Sequence, residues 1–373
     1  MVETPRFLCV HQGYELYGSD RVFVQSLKAI RQKWPSAYIT VHLPQNGPIV
    51  PEILPYTQEI VYGDLWVLRL ARLKLEYWRD FVKIPRALYK AFQQSLAHDV
   101  VYINTVAVFS YIFISPFLRR PFLLHAHEFP TGKKAAILNK ILSVLPLRMV
   151  ANSTATAGAF PSVRHKTVVS NGIPDVRHRR MDDGEEKPDV LRLLLIGRIN
   201  GWKGHHLTLD ALKILLAQGR KVHLRFVGSV FEGEEHFREK LQERIAAEKW
   251  QDHVEIWSFD PNPDFHYQWA DVVLVPSTDP EPFGLVAVEG MAHGLPVVAA
   301  DHGGLSDIVV DGVCGRLFEP RNASALAKAV ETYVNDPVLR EKHGVAARAR
   351  FLDKFHEDRY LEHIVRTFEA HVA

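Results

Sequence analysis

Cysteine is scarce in this chain, and long apolar runs are absent. The 373 residues include two cysteines, Cys9 and Cys314, too few and too far apart for a disulfide framework or a zinc site. The longest apolar stretch, Val106 to Leu118, contains Pro116 and is shorter than the ~20 residues that a membrane span needs. No secretory signal opens the sequence. These absences favour a cytoplasmic location, and the length favours two domains.

Charge is balanced overall but unevenly distributed. Residues 1–178 carry 21 Lys and Arg against 11 Asp and Glu, whereas residues 179–373 carry 24 against 32. The basic first half predicts an anionic partner. Within it, residues 64–90 alternate aromatic and aliphatic side chains with Arg and Lys, which is typical of a helix on an anionic membrane and equally of a buried amphipathic helix. No recognised nucleic-acid-binding module accompanies this charge, so nucleic acid is not predicted as a partner.

Short apolar strands alternate with helical patterns in two successive sets. The first set comprises 6–11, 37–43, 100–104, 122–127, 149–152 and 167–170, and the second begins at 190 and continues with 222–228, 254–258, 272–276 and 297–300. This alternation predicts parallel sheets with helical crossovers. We therefore expect an α/β domain over 1–175, a polar linker over 176–189 and a second α/β domain over 190–352. The final stretch is helical in pattern.

Two acids flank a turn late in the second set. Glu281 precedes Pro282, which keeps it out of the helical region, and Glu289 lies within the helix-forming run that follows. The preceding apolar strand, 272–276, delivers this turn to the carboxyl end of a parallel sheet, where open α/β folds bind ligands. The segment predicts an anion-handling turn with an acid on each side, although an acid such as Glu289 alone is also typical of an exposed helix.

Two cations follow the first strand of the second set. Gly197 ends that strand, and Arg198 and Lys203 come directly after it. An arginine fork and a lysine point charge at a strand end suit a diphosphate, whose negative charge grows as a bond to it breaks. Two solvated cations on a polar loop are the alternative.

Together these segments resemble the Glu-x7-Glu and G-R-x4-K-G signatures of the family 4 retaining glycosyltransferases. That family has the GT-B fold, in which two Rossmann-like domains with parallel sheets face a central cleft. The resemblance implies that Glu281 contacts the donor sugar near its reactive carbon and that Glu289 binds the ribose. It also implies diphosphate binding by Arg198, Lys203 and the donor-side backbone at Gly197, Phe283, Gly284 and Leu285.

The first domain would supply the acceptor side. Its loop after the first strand, residues 12–22, is similar to the family's G-G-x-x-R-V loop near the donor phosphates, with Gly18 matching one of the two glycines. His127, at the end of a strand, matches a family histidine beside the donor sugar and acceptor, and Asn104 is assigned to the acceptor side with it. A half-buried strand histidine is the alternative for His127. The histidine pair His125 and His127 with Glu128 could also indicate a metal site, but no further ligand at a suitable spacing supports one. The family generally works without metal.

The resemblance thus implies a retaining hexosyltransferase that moves a sugar from a nucleotide diphosphate, UDP being favoured, to a glycan hydroxyl. The basic, aromatic first domain favours a lipid-linked acceptor of bacterial surface-polysaccharide assembly, at the cytoplasmic face of the membrane. A nucleotide-sugar 2-epimerase of the same fold and a non-catalytic, membrane-docked assembly partner are the alternatives. The resemblance also implies that the C-terminal helix, 353–373, packs back on the first domain, and that neither a cofactor nor a metal is required.

Overall fold

The computed structural model describes residues 4–16, 18–67, 83–130, 132–176 and 190–372. It divides into two compact units, Met1–Gly172 with Glu357–Ala373, and Ile173–His356. The unit boundaries therefore fall after Gly172 and after His356, where the sequence pattern placed them at 175 and 352. Most of the expected linker, residues 177–189, lies outside the described residues.

The described part of the first unit forms a seven-stranded parallel sheet flanked by helices. Its strands are β1 (Arg6–Val10), β2 (Tyr38–Leu43), β3 (Glu59–Tyr62), β4 (Val100–Ile103), β5 (Phe122–Ala126), β6 (Leu147–Ala151) and β7 (Lys166–Val168). They lie in the order β3-β2-β1-β4-β5-β6-β7. The helices between them are α1 (Gly18–Lys33), α2 (Val50–Ile53), α3 (Ile84–Leu96), α4 (Phe109–Ile114), α5 (Gly132–Ser143) and α6 (Thr154–Gly158).

The described part of the second unit repeats this plan with a six-stranded sheet. Its strands are β8 (Leu191–Ile196), β9 (Val222–Val227), β10 (Val254–Trp257), β11 (Val272–Val275), β12 (Val297–Ala300) and β13 (Gly315–Phe318), in the order β10-β9-β8-β11-β12-β13. Its helices are α7 (His205–Ala217), α8 (His236–Ala247), α9 (Asp264–Trp269), α10 (Leu285–Ala292), α11 (Leu305–Ile308), α12 (Ala323–Asn335) and α13 (Pro337–Arg350). The order reverses between β8 and β11, a switch point at which such sheets bind ligands.

Both sheets are covered by apolar side chains on their two faces. Along β1, Phe7 and Cys9 belong to one buried cluster, while Leu8 and Val10 belong to another. The four residues of β11 divide in the same way between two clusters of the second unit. Because successive side chains point to opposite faces, a strand buried on both sides must be apolar throughout. The continuous apolar runs are therefore a sound basis for the prediction of two parallel α/β sheets, which is confirmed.

The sequence pattern missed two edge strands, β3 and β13. The four residues of β3 are only half-buried or exposed, and two of the four in β13 are half-buried. An edge strand has one neighbour and partial cover, so a continuous apolar run is not required of it. The other two edge strands, β7 and β10, are also partly exposed but were predicted. The helical pattern after 336 is also divided. A π-helical turn over Phe351–Phe355 follows α13, and His356 has the extended ψ of 144°.

The helix that follows His356, Glu357–Glu369, packs against α1 within the first unit. Its buried face includes Tyr360, Ile364 and Phe368. The ammonium of Lys28 lies 2.5 Å from the Glu357 carboxylate at the edge of this contact. Apolar burial along one helical stripe thus attaches the end of the chain to the first sheet layer.

Of the basic, aromatic stretch 64–90, residues 68–82 lie outside the described residues. On either side of them, Leu65, Trp66, Val67 and Leu88 pack against a buried cluster of the first unit. The ring of Trp66 stacks on Phe113 with centroids 5.6 Å apart. Among the described helices, none is long and apolar enough to cross a membrane.

Candidate active site

The loops that carry the predicted cations and acids begin at neighbouring strands of the second sheet. Strand β8 pairs in parallel with β11, so the loop beginning at Gly197 and the loop beginning at Pro276 emerge at the same edge. A backbone hydrogen bond joins the two loops, with Thr278 N donating to the Trp202 carbonyl at 2.7 Å. The parallel pairing therefore brings together side chains that are far apart in sequence.

Lys203 and Glu281 form an ion pair at this edge. Lys203 Nζ lies 2.7 Å from Glu281 Oε1, and the side chains are only 18% and 8% exposed. The Ser277 hydroxyl donates to the same carboxylate oxygen, and the Lys203 ammonium lies 4.5 Å from the centre of the Trp202 ring. A partly buried lysine of this kind is a preorganised positive charge, which stabilises an anion more strongly than a solvated one does.

Two glycines hold the backbone of Glu281 in place. Gly304 N donates to the Glu281 carbonyl at 2.8 Å. Gly303 has a φ of +61°, and a Cβ on it would lie 2.3 Å from the same carbonyl oxygen. Only a residue without a side chain fits this approach and this left-handed backbone. The Gly303-Gly304 step thus positions a predicted site residue.

Helix α10 begins directly after the acidic turn. Gly284 caps it with a φ of 119°, Phe283 before it is buried, and Leu285 is its first residue. The first N–H groups of a helix have no partner within the helix and attract anions. The prediction that the backbone from Phe283 to Leu285 binds a diphosphate is consistent with this position and stays a prediction.

Glu289 is half-buried one turn into α10. It accepts a 2.6 Å hydrogen bond from the Tyr267 hydroxyl. Tyr267 stacks on His293 with ring centroids 4.6 Å apart, and burial, assisted by the charge of Glu289, raises the pKa of Tyr267 well above its usual range. A neutral phenol therefore orients the carboxylate. Neither Tyr267 nor Ser277 was singled out from the sequence, because no local spacing connects them to the acids.

Arg198 occupies the loop after β8 but is oriented by an aromatic ring. Its guanidinium carbon lies 3.4 Å from the centre of the Phe231 ring, which is half exposed. The backbone at Gly197, where this loop begins, is tightly packed, since a Cβ on Gly228 would lie 2.0 Å from the Gly197 carbonyl oxygen.

Two of the predicted residues of the first unit, Asn104 and His127, form a polar cluster at the carboxyl edge of its sheet. His127 Nε2 lies 2.9 Å from Asn104 Oδ1, and Gly18 is the first residue of α1. Burial, and secondarily the neighbouring His125 and His11, hold the pKa of His127 well below its usual range. His127 is therefore a neutral imidazole at physiological pH.

Known proteins resemble this chain in the sequence of its second unit and in the fold of both units. Residues 177–350 match the model of the family described as "Glycosyl transferases group 1". The lipopolysaccharide 1,2-N-acetylglucosaminetransferase of Salmonella typhimurium is 32% identical over 169 residues, which cover 44% of this chain and 44% of that protein. The chain thus spans about half the length, or less, of the curated relatives that it matches.

Two solved structures illustrate the similarity in fold. Anabaena Alr3699/HepE, in complex with UDP and glucose, is 23% identical with a TM-score of 0.77, covering 98% of this chain and 99% of that one. Sucrose-phosphate synthase from Thermosynechococcus elongatus is 19% identical with a TM-score of 0.76, covering 98% of both chains. At this identity the match concerns the fold. Residues 177–350 therefore match the group 1 glycosyl transferase family, in a chain that has the GT-B fold.

Proposed function

We propose that this protein is a retaining hexosyltransferase that transfers a sugar from a nucleotide diphosphate donor to a hydroxyl group of a lipid-linked glycan. The observation that carries the proposal is the Lys203–Glu281 pair beside the start of α10. Cation, acid and helix N-terminus at one sheet edge suit a sugar diphosphate better than a simple anion, because the acid would repel a bare phosphate and can accept hydrogen bonds from sugar hydroxyls.

In this proposal the leaving diphosphate is stabilised by Lys203, Arg198 and the amides that follow Phe283. Charge accumulates on the leaving oxygen as the glycosidic bond stretches, so these fixed donors act most strongly in the transition state. Glu281 orients the hydroxyls of the sugar, and Glu289 binds the ribose. The acceptor attacks from the face that the leaving group occupies, through an oxocarbenium-like state, and the departing phosphate takes the acceptor proton. Configuration at the anomeric carbon is then retained, and no metal takes part.

UDP is the favoured nucleotide and a bacterial surface glycan the favoured acceptor. Two relatives support these assignments, one described as a lipopolysaccharide N-acetylglucosaminetransferase and the other solved with UDP and glucose. The first test is a thermal-shift screen of UDP, GDP and ADP, with and without EDTA. We expect UDP to raise the melting temperature with concentration, with or without EDTA, because a ligand that binds only the folded state stabilises it.

A chromatographic assay with UDP-sugars then separates the possible activities. We expect consumption of the donor to require a glycan acceptor and to yield an α-linked product from an α-linked donor. Isomerisation of the donor without any acceptor would instead identify an epimerase. Failure of every nucleotide to stabilise the protein would contradict catalysis and favour a non-catalytic assembly partner.

A membrane surface is proposed as the place of the acceptor, and an apolar groove of the first unit supports it. The groove has a volume of about 560 Å³ and is lined by Leu88, Tyr89, Phe92, Phe113, Ile114, Pro116, Phe117 and Leu145. Phe117 at its margin is 76% exposed, and nearby Val144 is 78% exposed. Exposed cations lie next to this groove in sequence, namely Arg86, Arg119, Arg120 and Arg148. Apolar side chains among exposed cations are the complement of an anionic phospholipid bilayer.

Replacing Phe117 and Val144 by serine should therefore lower binding to phosphatidylglycerol vesicles about tenfold or more, since burial of one large apolar side chain contributes roughly 1.5–3 kcal/mol. Vesicle flotation measures the bound fraction. Val338→Ser, which changes an equally exposed valine of the second unit, is the matched control and should leave binding unchanged. Equal flotation of all three proteins would rule out this groove as the membrane contact.

A further inference from the structure

Asn104 is the centre of a hydrogen-bond network at the carboxyl edge of the first sheet. Its side chain is fully buried. Asn104 Oδ1 lies 2.8 Å from the Tyr102 hydroxyl and 2.9 Å from His127 Nε2. Asn104 Nδ2 lies 3.1 Å from the Ser19 carbonyl oxygen and 3.1 Å from His11 Nδ1. Every polar atom of this amide thus has a protein partner.

The Ser19 carbonyl determines which way the amide faces. A backbone carbonyl oxygen can only accept a hydrogen bond, so the atom opposite it must be the amide nitrogen of Asn104. The amide oxygen therefore faces Tyr102 and His127. This conclusion needs no assumption about either of those two side chains, because it depends only on the backbone carbonyl of Ser19 in α1.

The orientation of the amide in turn sets the protonation of His127. An amide oxygen has no proton to give, so the hydrogen bond at 2.9 Å requires Nε2 of His127 to carry one. His127 is neutral, because burial holds its pKa well below the usual range. A neutral imidazole has a single N–H, so Nδ1 of His127 carries a lone pair. Although burial lowers its pKa, His127 is only half-buried as a residue, so part of it remains exposed to solvent.

The rest of the network agrees with this direction of donation. Tyr102 has one hydroxyl proton and donates it to Asn104, so the 2.7 Å contact with His125 requires Nδ1–H of His125 to donate to the Tyr102 oxygen. Burial lowers the pKa of His125 to about 3, which keeps that ring neutral as well. On its other side Tyr102 lies 2.9 Å from the Ser26 hydroxyl, which lies 2.6 Å from that of Tyr360 in the C-terminal helix.

We propose that Asn104 is a positioning residue, which holds His127 as its Nε2–H tautomer so that Nδ1 accepts a hydrogen bond from a hydroxyl group of the sugar substrate. The hydrogen bond to the sugar rests on the proposed function, whereas the tautomer of His127 does not. Asn104 was expected on the acceptor side from sequence. The structure instead points to an indirect role, since both polar ends of its side chain are already bonded within the protein.

Nitrogen NMR of the full-length protein labelled on histidine tests the tautomer without any activity. The His127 signals are assigned by their loss in His127→Gln. We expect a protonated Nε2 and a bare Nδ1 in the wild type, and the same in Tyr102→Phe, which removes a neighbour but keeps the bond between Asn104 and His127. Asn104→Leu removes the acceptor at nearly constant volume and should give a mixture of tautomers. A wild-type Nδ1–H signal would overturn the inference.

The pH profile of sugar transfer then tests the consequence. Asn104→Asp keeps the acceptor but adds a negative charge beside His127, which raises the pKa of the imidazole. Because only the neutral ring has a free lone pair, we expect the acid limb of kcat/KM to move to higher pH by about one unit or more. If the acid limb is unchanged in Asn104→Asp while NMR shows the expected tautomers, His127 has no role in the reaction, but the tautomer assignment stands. Absence of transfer in the wild type would count against the proposed function and not against the network.

Discussion

Replacing Lys203 by methionine should lower kcat for sugar transfer on the order of 10²- to 10³-fold, the loss typical of removing one preorganised donor to a developing negative charge. Methionine keeps most of the aliphatic stem, so the change removes the charge with little loss of packing. In the wild type this ammonium is held 2.7 Å from Glu281 and needs no reorganisation when charge develops on the leaving phosphate. Single-turnover rates with saturating UDP-sugar measure the effect.

The second unit contains a matched control for this substitution. Lys213 lies 2.6 Å from Glu248 in an ion pair of the same chemistry, but its side chain is 60% exposed. Lys213→Met should leave the rate within about twofold, because exposed ion pairs contribute little. Melting temperatures of both variants show whether the fold is retained. A rate for folded Lys203→Met equal to that of Lys213→Met would contradict the leaving-group role.

Replacing Glu281 by glutamine should lower kcat on the order of 10²-fold while changing donor affinity much less. The carboxylate interacts with Lys203 and with the Ser277 hydroxyl, and glutamine preserves the shape but not the charge. A charge that orients the sugar hydroxyls and supports an oxocarbenium-like state acts in the transition state, so its removal affects turnover more than binding. Calorimetric titration with UDP measures the affinity, and transfer assays measure kcat.

Combining the two substitutions separates this role from simple support of Lys203. If Glu281 acts mainly by holding the lysine, the double variant Lys203→Met with Glu281→Gln should be no slower than Lys203→Met alone. If Glu281 also acts on the sugar, as we propose, the double variant should be slower than either single variant. Glu248→Gln, in the exposed pair, serves as the control. Unchanged turnover in Glu281→Gln would eliminate both roles.

The inner strands could be predicted from sequence because burial on both faces requires a continuous apolar run, as in β11. Partial exposure removes that constraint from edge strands, and of the four edge strands β3 and β13 were missed whereas β7 and β10 were predicted. The candidate site likewise contains residues that local spacing reveals and residues that it does not. Glu281 and Lys203 are recognisable from local spacing, whereas Ser277 and Tyr267 contribute single hydrogen bonds to the acids and have no spacing of their own.

The order of residues by itself determined the two sheets, the cationic loop after Gly197 and the acids at Glu281 and Glu289, since each depends on a periodicity or spacing within one segment. Only the tertiary structure decided that Lys203 pairs with Glu281 across 78 positions and that Ser19 orients Asn104 across 85. Such contacts depend on which strands become neighbours in a parallel sheet, and that choice follows from the packing of whole elements rather than from any local pattern.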